Sequence, residues 1–374
     1  MPWKARSAVS LREEFVRLAG QGEAMAGLCR RFGISRKTGY KWVSRSKAQG
    51  WSGLQDRSKR PHRSPGRCEA SLEARVVELR REHPVWGGRK LRKLLEREEW
   101  KPLPSCSTIT GILHRHALIF PEEARKHQAF QRFERAQPNE LWQMDFKGHV
   151  EMGSGRCHPL TMLDDHSRYV VGLFACGDER TQTVKERFTV VFRRYGLPQA
   201  ILCDNGPPWG SAGGEEKHTE LTVWLMRQGV RVLHGRAYHP QTQGKDERFH
   251  RTLKNEVLWD CFADLLESQN RFDQWRKEYN WVRPHEALDL EVPGTRYQCS
   301  KREFVEHPRE PEYDSGQLVR KVDGSARISL WNQIWKIGKP FVGQRVLIEP
   351  TSADHLWDVY FYGIKIQTLN RRSV

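Results

Sequence analysis

The most constraining feature of the chain is the stretch from residue 141 to 255, where strand and helix patterns alternate around acidic residues. In LWQMDFKG, large apolar residues alternate with polar ones, and this period of two predicts a strand with one apolar face. Asp145 therefore points away from that face. Asp204 ends the apolar run 200–203 and precedes Asn-Gly-Pro-Pro, which predicts a turn. An acid at the carboxyl end of a buried strand lies where open α/β sheets place ligands.

A third acid, Glu247, opens a predicted helix after a loop rich in Pro, Gln and Gly. The helix has an apolar stripe at helical spacing, made by Phe249, Leu253, Val257 and Leu258. Arg251 and Lys254 follow Glu247 at i+4 and i+7, so the acid and the two bases share one face.

Carboxylates that converge from two strand ends and a helix can hold a pair of hard cations with octahedral oxygen shells. Such cations, roughly 3.5 to 4 Å apart, activate an attacking oxygen and stabilise a leaving one. Without metal, the clustered negative charges would repel each other and a phosphodiester. We therefore expect two Mg²⁺ or Mn²⁺ ions per active site, and we expect Asp145, Asp204 and Glu247 to be both the catalytic and the metal-binding residues. No side-chain nucleophile is required.

Four motifs carry a family resemblance: MDFKG, LDDHSRYVVGLFA, CDNGPPW and YHPQTQGKDERFHRTLK. Together they resemble the catalytic core of DDE transposases and retroviral integrases, and the chain looks most like the IS481 branch near the IS3-type transposases. The resemblance implies a DNA transposase, a polynucleotidyl transferase that cleaves at transposon ends and transfers strands into target DNA. Residues 204 and 247 are separated by 42 residues (247 − 204 − 1). The family spacer is about 35 residues, and the polar insert 211–220 absorbs the excess because surface loops tolerate added residues.

Other acidic residues near the motifs are alternative candidates for the metal-binding site. Asp246 is the neighbour of the predicted third acid, but the Gly-x-x-Glu-Arg phrase of the family falls on Gly244, Glu247 and Arg248. The acidic pair at 164–165 stands at the predicted bend between two strands, and we interpret it as a turn.

The charge of the chain favours a polyanionic partner. Lys and Arg number 63 against 46 Asp and Glu, a net charge of +17 with a sequence pI near 9.7. Residues 1–67 hold 16 Lys or Arg against four acids, a local excess of +12. Nucleic acid is the expected partner, and the resemblance specifies double-stranded DNA, both transposon terminal inverted repeats and target DNA. It also implies a homo-oligomer on DNA, because transposition handles two ends.

The cysteine pattern and the hydropathy of the chain indicate the cellular compartment in which the protein is expected. The eight cysteines include no Cys-x-x-Cys pair and no zinc-type spacing, so they are expected to be reduced thiols. No apolar run of about 18 residues and no secretory leader is present. We therefore expect a cytoplasmic, nucleoid-associated protein with no membrane partner.

The amino-terminal pattern predicts three short helices between residues 10 and 49. Ser10 starts a capping box with Glu13, a second helix covers residues 25–32, and Ser35 caps a third. This is a helix-turn-helix pattern, and RRFGISRKTGYKW resembles the amino-terminal domain of IS481-type transposases. The alternative is a small helical bundle with a solvated basic face. The candidate DNA-contact residues are Arg36, Lys37, Thr38 and Lys41 on the third helix, with Arg251 and Lys254 in the core.

The expected fold is multidomain: α-helical helix-turn-helix modules, an α/β ribonuclease-H-like integrase core and a small all-β SH3-like carboxyl-terminal domain. The second helical module could serve dimer contact instead of base reading, and whether the small barrel binds DNA stays open. The predicted domains are a helix-turn-helix domain at 1–50, a basic linker at 51–70, a second helix-turn-helix-like domain at 71–120, a connecting helix at 121–140, the DDE core at 141–298 and the barrel at 299–374.

Within the core, the patterns predict a definite order of elements, and the small barrel is predicted to have four or five strands between 313 and 370. The core predictions are a strand at 142–150, a strand pair at 158–176, a helix at 181–195, a strand at 199–204, a helix at 216–228, a strand at 230–236, a long helix from Gly244 and a helix at 264–281.

Two other functional classes fit the same sequence. One is a catalytically silent DNA-binding protein derived from a transposase, against which the intact set of three acids argues. The other is a metal-dependent nuclease that cleaves without joining.

Overall fold

The structure is a computed structural model that describes residues 7–57, 68–119, 134–210, 218–235 and 244–372. The chain divides into two compact units, residues 1–67 and residues 68–374. Across these described ranges, no helix is both long enough and apolar enough to cross a membrane.

The described part of the first unit contains three helices, α1 (Ala8–Gly20), α2 (Met25–Arg31) and α3 (Arg36–Gln49). They enclose a small core around Phe15 and Leu28. The helices approach so closely that a Cβ on Gly39 of α3 would lie 2.8 Å from the Cys29 sulfur. A 3₁₀ helix, Gly50–Leu54, follows α3, and Leu54 is fully buried. The folded unit therefore continues past residue 50, the predicted end of the first domain.

The start of α1 differs from the prediction. The helix begins at Ala8, and the Ser7 side chain accepts a hydrogen bond from the Ser10 backbone N–H at 3.1 Å. Ser10 lies inside the first turn, where its hydroxyl donates to the Ser7 carbonyl at 2.8 Å. The predicted Ser10 cap is wrong because Ser7 offers an equivalent cap three residues earlier. The predicted Ser35 cap is confirmed, since its hydroxyl accepts from the Thr38 N–H at 3.2 Å.

The second unit opens with another three-helix bundle within residues 68–119: α4 (Ala70–Glu82), α5 (Gly88–Arg97) and α6 (Cys106–Arg115). Its core is made mainly of buried Leu, Ile and Val from all three helices. This bundle is bonded to the rest of the unit. The Trp86 indole N–H donates to a Glu256 carboxylate oxygen at 3.3 Å, and Arg97 donates to the Val282 carbonyl at 3.0 Å. His83 Nδ1 lies 3.0 Å from Glu278.

A six-stranded mixed sheet forms the centre of the described second unit. Its central strand β1 runs antiparallel to β3 and parallel to β5, and β6 continues the parallel side. The predicted strand at 142–150 is interrupted, because β1 ends at Phe146 and β2 begins at Val150. The strands are β1 (Trp142–Phe146), β2 (Val150–Met152), β3 (Gly155–Asp164), β4 (Val170–Cys176), β5 (Ala200–Cys203) and β6 (Arg231–His234).

Helices cover both faces of this sheet. The bounds are α7 (Thr181–Tyr195), α8 (Glu220–Arg227), α9 (Gly244–Glu256), α10 (Leu265–Trp281) and the short α11 (Pro293–Arg296). α7 and α8 pack on the face that carries Trp142 and Met144. α9 and α10 pack on the opposite face through Phe249 and Phe272. Because side chains alternate along a strand, Gln143 and Asp145 project toward the α9 face.

The chain ends in an all-β domain. Its strands, all within the described residues, are β7 (Leu318–Lys321), β8 (Arg327–Leu330), β9 (Gln333–Lys336), β10 (Arg345–Pro350), β11 (Leu356–Phe361) and β12 (Ile364–Asn370). Four form an antiparallel sheet in the order β12-β11-β10-β7, and β8 and β9 form a hairpin. There are thus six strands here, where four or five were predicted. Val223 and Met226 of α8 join the core of this domain.

The predicted connecting helix at 121–140 lies mostly outside the described residues. Residues 134–140 are described, and they form turns and irregular structure but no helix.

Candidate active site

Two of the three predicted acids stand at adjacent strand ends. Asp145 is the fourth residue of β1, and Asp204 directly follows β5. The strands are parallel neighbours, so both carboxyl ends meet at one edge of the sheet. Burial raises the pKa of Asp145 to about 7, and the negative charge of Asp204 contributes to the shift. Each of the two acids at this edge therefore disfavours the ionisation of the other. A bound cation would offset this repulsion between the two carboxylates.

The turn after β5 holds Asp204 in place. The Asn205 side chain donates to the Gly235 carbonyl at 3.0 Å, and His234 Nδ1 lies 2.9 Å from the Asp204 carbonyl. Burial raises the pKa of Asp204, while a hydrogen bond from the Gly206 N–H lowers it. Its Oδ1 atom is buried and has no hydrogen-bond partner within the described residues. A buried oxygen without a partner is a fitting ligand for a hard cation.

The first turn of α9 carries two neighbouring acids that differ in exposure. Asp246 is 2% exposed, whereas Glu247 is exposed to solvent. Adjacent helical residues point about 100° apart, so the two side chains have different surroundings. Burial raises the pKa of Asp246 well above its ordinary value, and the charge of Asp145 adds to the effect. Both Asp246 carboxyl oxygens lack a hydrogen-bond partner in the described chain.

Glu247, the predicted third acid, lies in the first turn of α9 with its side chain exposed to solvent. Over the described ranges, no group of three or more His, Cys, Asp or Glu side chains is arranged to hold a metal ion. Glu247 instead lies on the exposed face of α9 with Arg251 and Lys254, both exposed, as the helical spacing predicts.

A histidine that was not among the predicted site residues connects α9 to Asp145. His250 is 7% exposed, and its Nε2 lies 2.8 Å from the Thr161 hydroxyl, which donates to the Asp145 carbonyl at 2.9 Å. The other ring nitrogen, Nδ1, lies 3.9 Å from Asp145 Oδ2. Burial lowers the pKa of His250 to about 4, so the ring is neutral at neutral pH. The sequence does contain one signal for this role: helical spacing places His250 on the same side of α9 as the apolar residues Phe249 and Leu253.

The acidic pair at 164–165 does more than turn the chain. Asp164 accepts hydrogen bonds from the Ser167 N–H and hydroxyl, as a turn-forming acid does. Asp165 is fully buried and its Oδ1 lies 2.5 Å from Lys245 Nζ in the first turn of α9. The prediction that this pair forms a turn is therefore incomplete for Asp165, and no local pattern distinguishes the two acids because the partner of Asp165 is 80 residues away.

The predicted DNA-contact residues of the first unit lie on α3. Arg36, Lys37 and Lys41 are exposed. The Thr38 hydroxyl is 3.0 Å from the Ser35 hydroxyl, so it belongs to the helix cap. Lys41 also stacks over the Trp42 ring at 4.4 Å.

Comparison with known proteins identifies the parts of the chain. The integrase core domain family matches residues 135–240, and a second integrase core family matches 228–293. A homeodomain-like family matches 38–113 and a helix-turn-helix family matches 11–62. The carboxyl-terminal domain of IS481 family transposases matches 317–373.

Known proteins and a solved structure are similar to parts of this chain. An uncharacterized 31.7 kDa protein of insertion element IS407 from Burkholderia multivorans is 29% identical over 232 residues, 60% of this chain and 79% of the relative. An uncharacterized 39.2 kDa protein of insertion element IS476 from Xanthomonas euvesicatoria is 25% identical over 297 residues, 75% of this chain and 80% of the relative. The catalytic core domain of HTLV-2 integrase, solved with magnesium, aligns at 19% identity with a TM-score of 0.34, over 44% of this chain and 99% of that chain.

The fold and the family matches define a protein of the transposase and integrase class, which acts in DNA transposition and integration. Within that class, the matches are those of an IS481-type transposase with an integrase core. The resemblance stated from the sequence motifs is thereby confirmed. So is the predicted fold class of helix-turn-helix modules, integrase core and small all-β domain.

Proposed function

We propose that this protein is a polynucleotidyl transferase that cleaves DNA at transposon ends and joins those ends to target DNA, with Asp145 and Asp204 in its active site. The pairing of these two acids at neighbouring strand ends, where each has a raised pKa, is the observation that carries the proposal. The integrase core match covers both residues.

The residues present suit Mg²⁺ or Mn²⁺. Asp145 and Asp204 offer carboxylate oxygens, including the unpartnered Oδ1 of Asp204, and hard divalent cations prefer such ligands. We propose that Glu247 completes the set and that two ions bind. When bound, the ions would supply Lewis-acid activation of the attacking oxygen and stabilisation of the leaving oxygen. The protein contributes the ligand positions, because β1 and β5 fix the first two acids.

The proposed reaction has two steps, hydrolysis and strand transfer. In the first, water attacks the phosphorus at the transposon end, the P–O3′ bond breaks and the freed 3′-oxygen takes a proton. In the second, that 3′-hydroxyl attacks a phosphodiester of target DNA, a new P–O3′ bond forms and a target 3′-oxygen leaves as a hydroxyl. One phosphodiester replaces another in the second step, so no external energy source is required.

A joining assay with precut terminal DNA and Mg²⁺ tests the proposal. Strand-transfer products from the wild-type protein support it, and Asp145→Asn should abolish them while DNA binding persists. Cleavage without joining would identify a nuclease, and binding alone would identify a silent DNA-binding protein. Normal joining by Asp145→Asn would refute the assignment of the site.

Two further variants decide the third acid. If Glu247 is the ligand, Glu247→Gln abolishes joining and Asp246→Asn retains it. The reverse result would assign the role to Asp246, which is the acid that faces the sheet. Because both substitutions replace a carboxylate by an amide of the same size, the two outcomes are directly comparable.

We also propose that α3 of the first unit binds the phosphate backbone of terminal DNA through Arg36, Lys37 and Lys41, and that the protein works as a homo-oligomer that bridges two ends. Exposure of all three side chains supports the first part. The slope of log K against log salt concentration should become less negative by about 0.9 for each phosphate contact that is lost. Fluorescence anisotropy of Arg36→Ala and Lys37→Ala tests this, with Arg17→Ala on α1 as the control. Unchanged slopes in the α3 variants would refute the contact.

A further inference from the structure

The first turn of α9 is joined to the sheet by a nearly buried ion pair. Lys245 Nζ lies 2.5 Å from Asp165 Oδ1 and donates to the Asp165 carbonyl at 3.2 Å. The Asp165 side chain is fully buried and that of Lys245 is 17% exposed. Lys245 contacts both the side chain and the backbone carbonyl of Asp165. These two contacts fix the position of the ammonium group more closely than a single ion pair would.

Asp165 is itself fixed to the strand that carries Asp145. The Gln143 amide donates to Asp165 Oδ1 at 2.7 Å, and Gln143 precedes Asp145 by two residues on the same face of β1. The Arg135 N–H donates to the other oxygen, Oδ2, at 2.8 Å, and the Asp165 N–H donates to the Leu141 carbonyl at 2.9 Å. A continuous set of hydrogen bonds thus runs from β1 through Asp165 to the start of α9.

Lys245 also moderates the charge of the neighbouring acids. Asp246 is surrounded by the negative charges of Asp145 and Asp165, and the ammonium of Lys245 opposes them. Loss of this ammonium would leave the buried Asp246 near the negative charges of Asp145 and Asp165 with less positive charge to oppose them.

We infer that Lys245 and Asp165 are positioning residues that set the first turn of α9, and with it the third acid, relative to Asp145 and Asp204. The inference rests on the proposed function, since the third acid matters only if the site binds divalent cations. Lys245 and Asp165 do not contact substrate in this role. They hold the backbone from which the acid projects.

The same helix supplies a matched control at its other end. Glu256, in the last turn of α9, accepts from Arg283 Nε at 3.1 Å, and both side chains are less than a tenth exposed. The Trp275 indole N–H donates to the same carboxylate at 2.8 Å. Loss of this second pair should destabilise the protein without moving the first turn of the helix.

The experiment compares Lys245→Met, Asp165→Asn, their double variant and Arg283→Met in the full-length protein. Three quantities are measured: the melting temperature, Mn²⁺ binding followed by electron paramagnetic resonance, and hydrogen exchange of the amides in residues 245–250. Lys245→Met should weaken Mn²⁺ binding by about 10- to 100-fold, the usual effect of removing a group that orients a metal ligand. Exchange in residues 245–250 should become faster. Arg283→Met should lower the melting temperature and leave Mn²⁺ binding unchanged.

The double variant separates positioning from general stability. Removing both charges of a buried pair restores stability that the single change loses, because no unpaired charge remains. We expect the double variant to regain melting temperature but to keep the weakened Mn²⁺ binding. Recovery of both together, or equal Mn²⁺ binding by Lys245→Met and wild type, would overturn the inference.

Failure of the proposed function would look different. A wild-type protein that neither binds Mn²⁺ nor joins DNA would refute the function, while the exchange measurement would still report whether the ion pair holds α9.

Discussion

Replacing Asp145 by Asn should stabilise the protein without metal while it abolishes catalysis. The pKa of Asp145 is raised from 3.8 to about 7, first by burial and then by Asp204. Each unit corresponds to about 1.36 kcal/mol, so three units set an upper bound of about 4 kcal/mol for the cost of ionising this carboxyl in the folded state. The side chain is 30% exposed, and solvent screening reduces the expected gain to about 2 kcal/mol. Asn removes this cost because it carries no charge.

The gain should depend on pH with a definite sign. Between pH 4 and 7 the folded state keeps a proton on Asp145 that the unfolded chain has lost, so wild-type stability falls as the pH rises through this window. The advantage of Asp145→Asn should therefore be absent below about pH 4 and complete above about pH 7.

Thermal unfolding without divalent ions, measured at several pH values, tests this reasoning. A gain of about 2 kcal/mol corresponds to a rise of about 4 °C or more in melting temperature. Asp289→Asn is the control, because its side chain is 95% exposed and it removes one negative charge without removing a buried one. Equal melting temperatures of Asp145→Asn and wild type at pH 8, or a gain that does not change with pH, would refute the argument.

Three further outcomes follow from the geometry. Divalent ions at about 100 times their dissociation constant should stabilise the wild type by about 2.7 kcal/mol and the Asp145→Asn variant by much less, as thermal shift would show. Thr161→Val removes the hydroxyl shared by the Asp145 carbonyl and His250, and should lower the free energy of unfolding by about 1 to 3 kcal/mol in urea titrations. Ser7→Ala should cost about 1 kcal/mol of the stability of the first unit, and Ser10→Ala less, since Ser7 is the observed cap; equal costs in thermal unfolding would contradict that cap.

Much of the core order was predictable because it depends on local periodicity. The helix predicted at 181–195 occurs as Thr181–Tyr195, and the strand predicted at 199–204 occurs as Ala200–Cys203. The position of Asp204 after a strand was predictable because an apolar run followed by a turn has a local signature, and Asp145 was placed on the polar face of its strand by the period-two alternation. The interruption after Phe146 was missed because the apolar alternation gives no sign of where pairing with β3 ends.

What could not be predicted depends on contacts between distant parts of the chain. Asp246 and Glu247 are adjacent acids at the start of a helix, and sequence alone does not say which one faces the sheet. The link from Lys245 to Asp165 spans 80 residues, and the link from His250 to Thr161 spans 89. Such pairs are set by the packing of α9 on the sheet, which no local pattern encodes.

The attachment of the α4–α6 bundle to α10 and the end of α9 has a mechanical consequence. Polar contacts from His83, Trp86, Lys93 and Arg97 join the bundle to the part of the unit that carries Asp145 and Asp204. A DNA duplex bound by this bundle would lie at a constant distance from the sheet edge that carries Asp145 and Asp204. The number of base pairs between a bound sequence and the scissile phosphate would then be set by the dimensions of this compact unit and not by the length of a flexible linker.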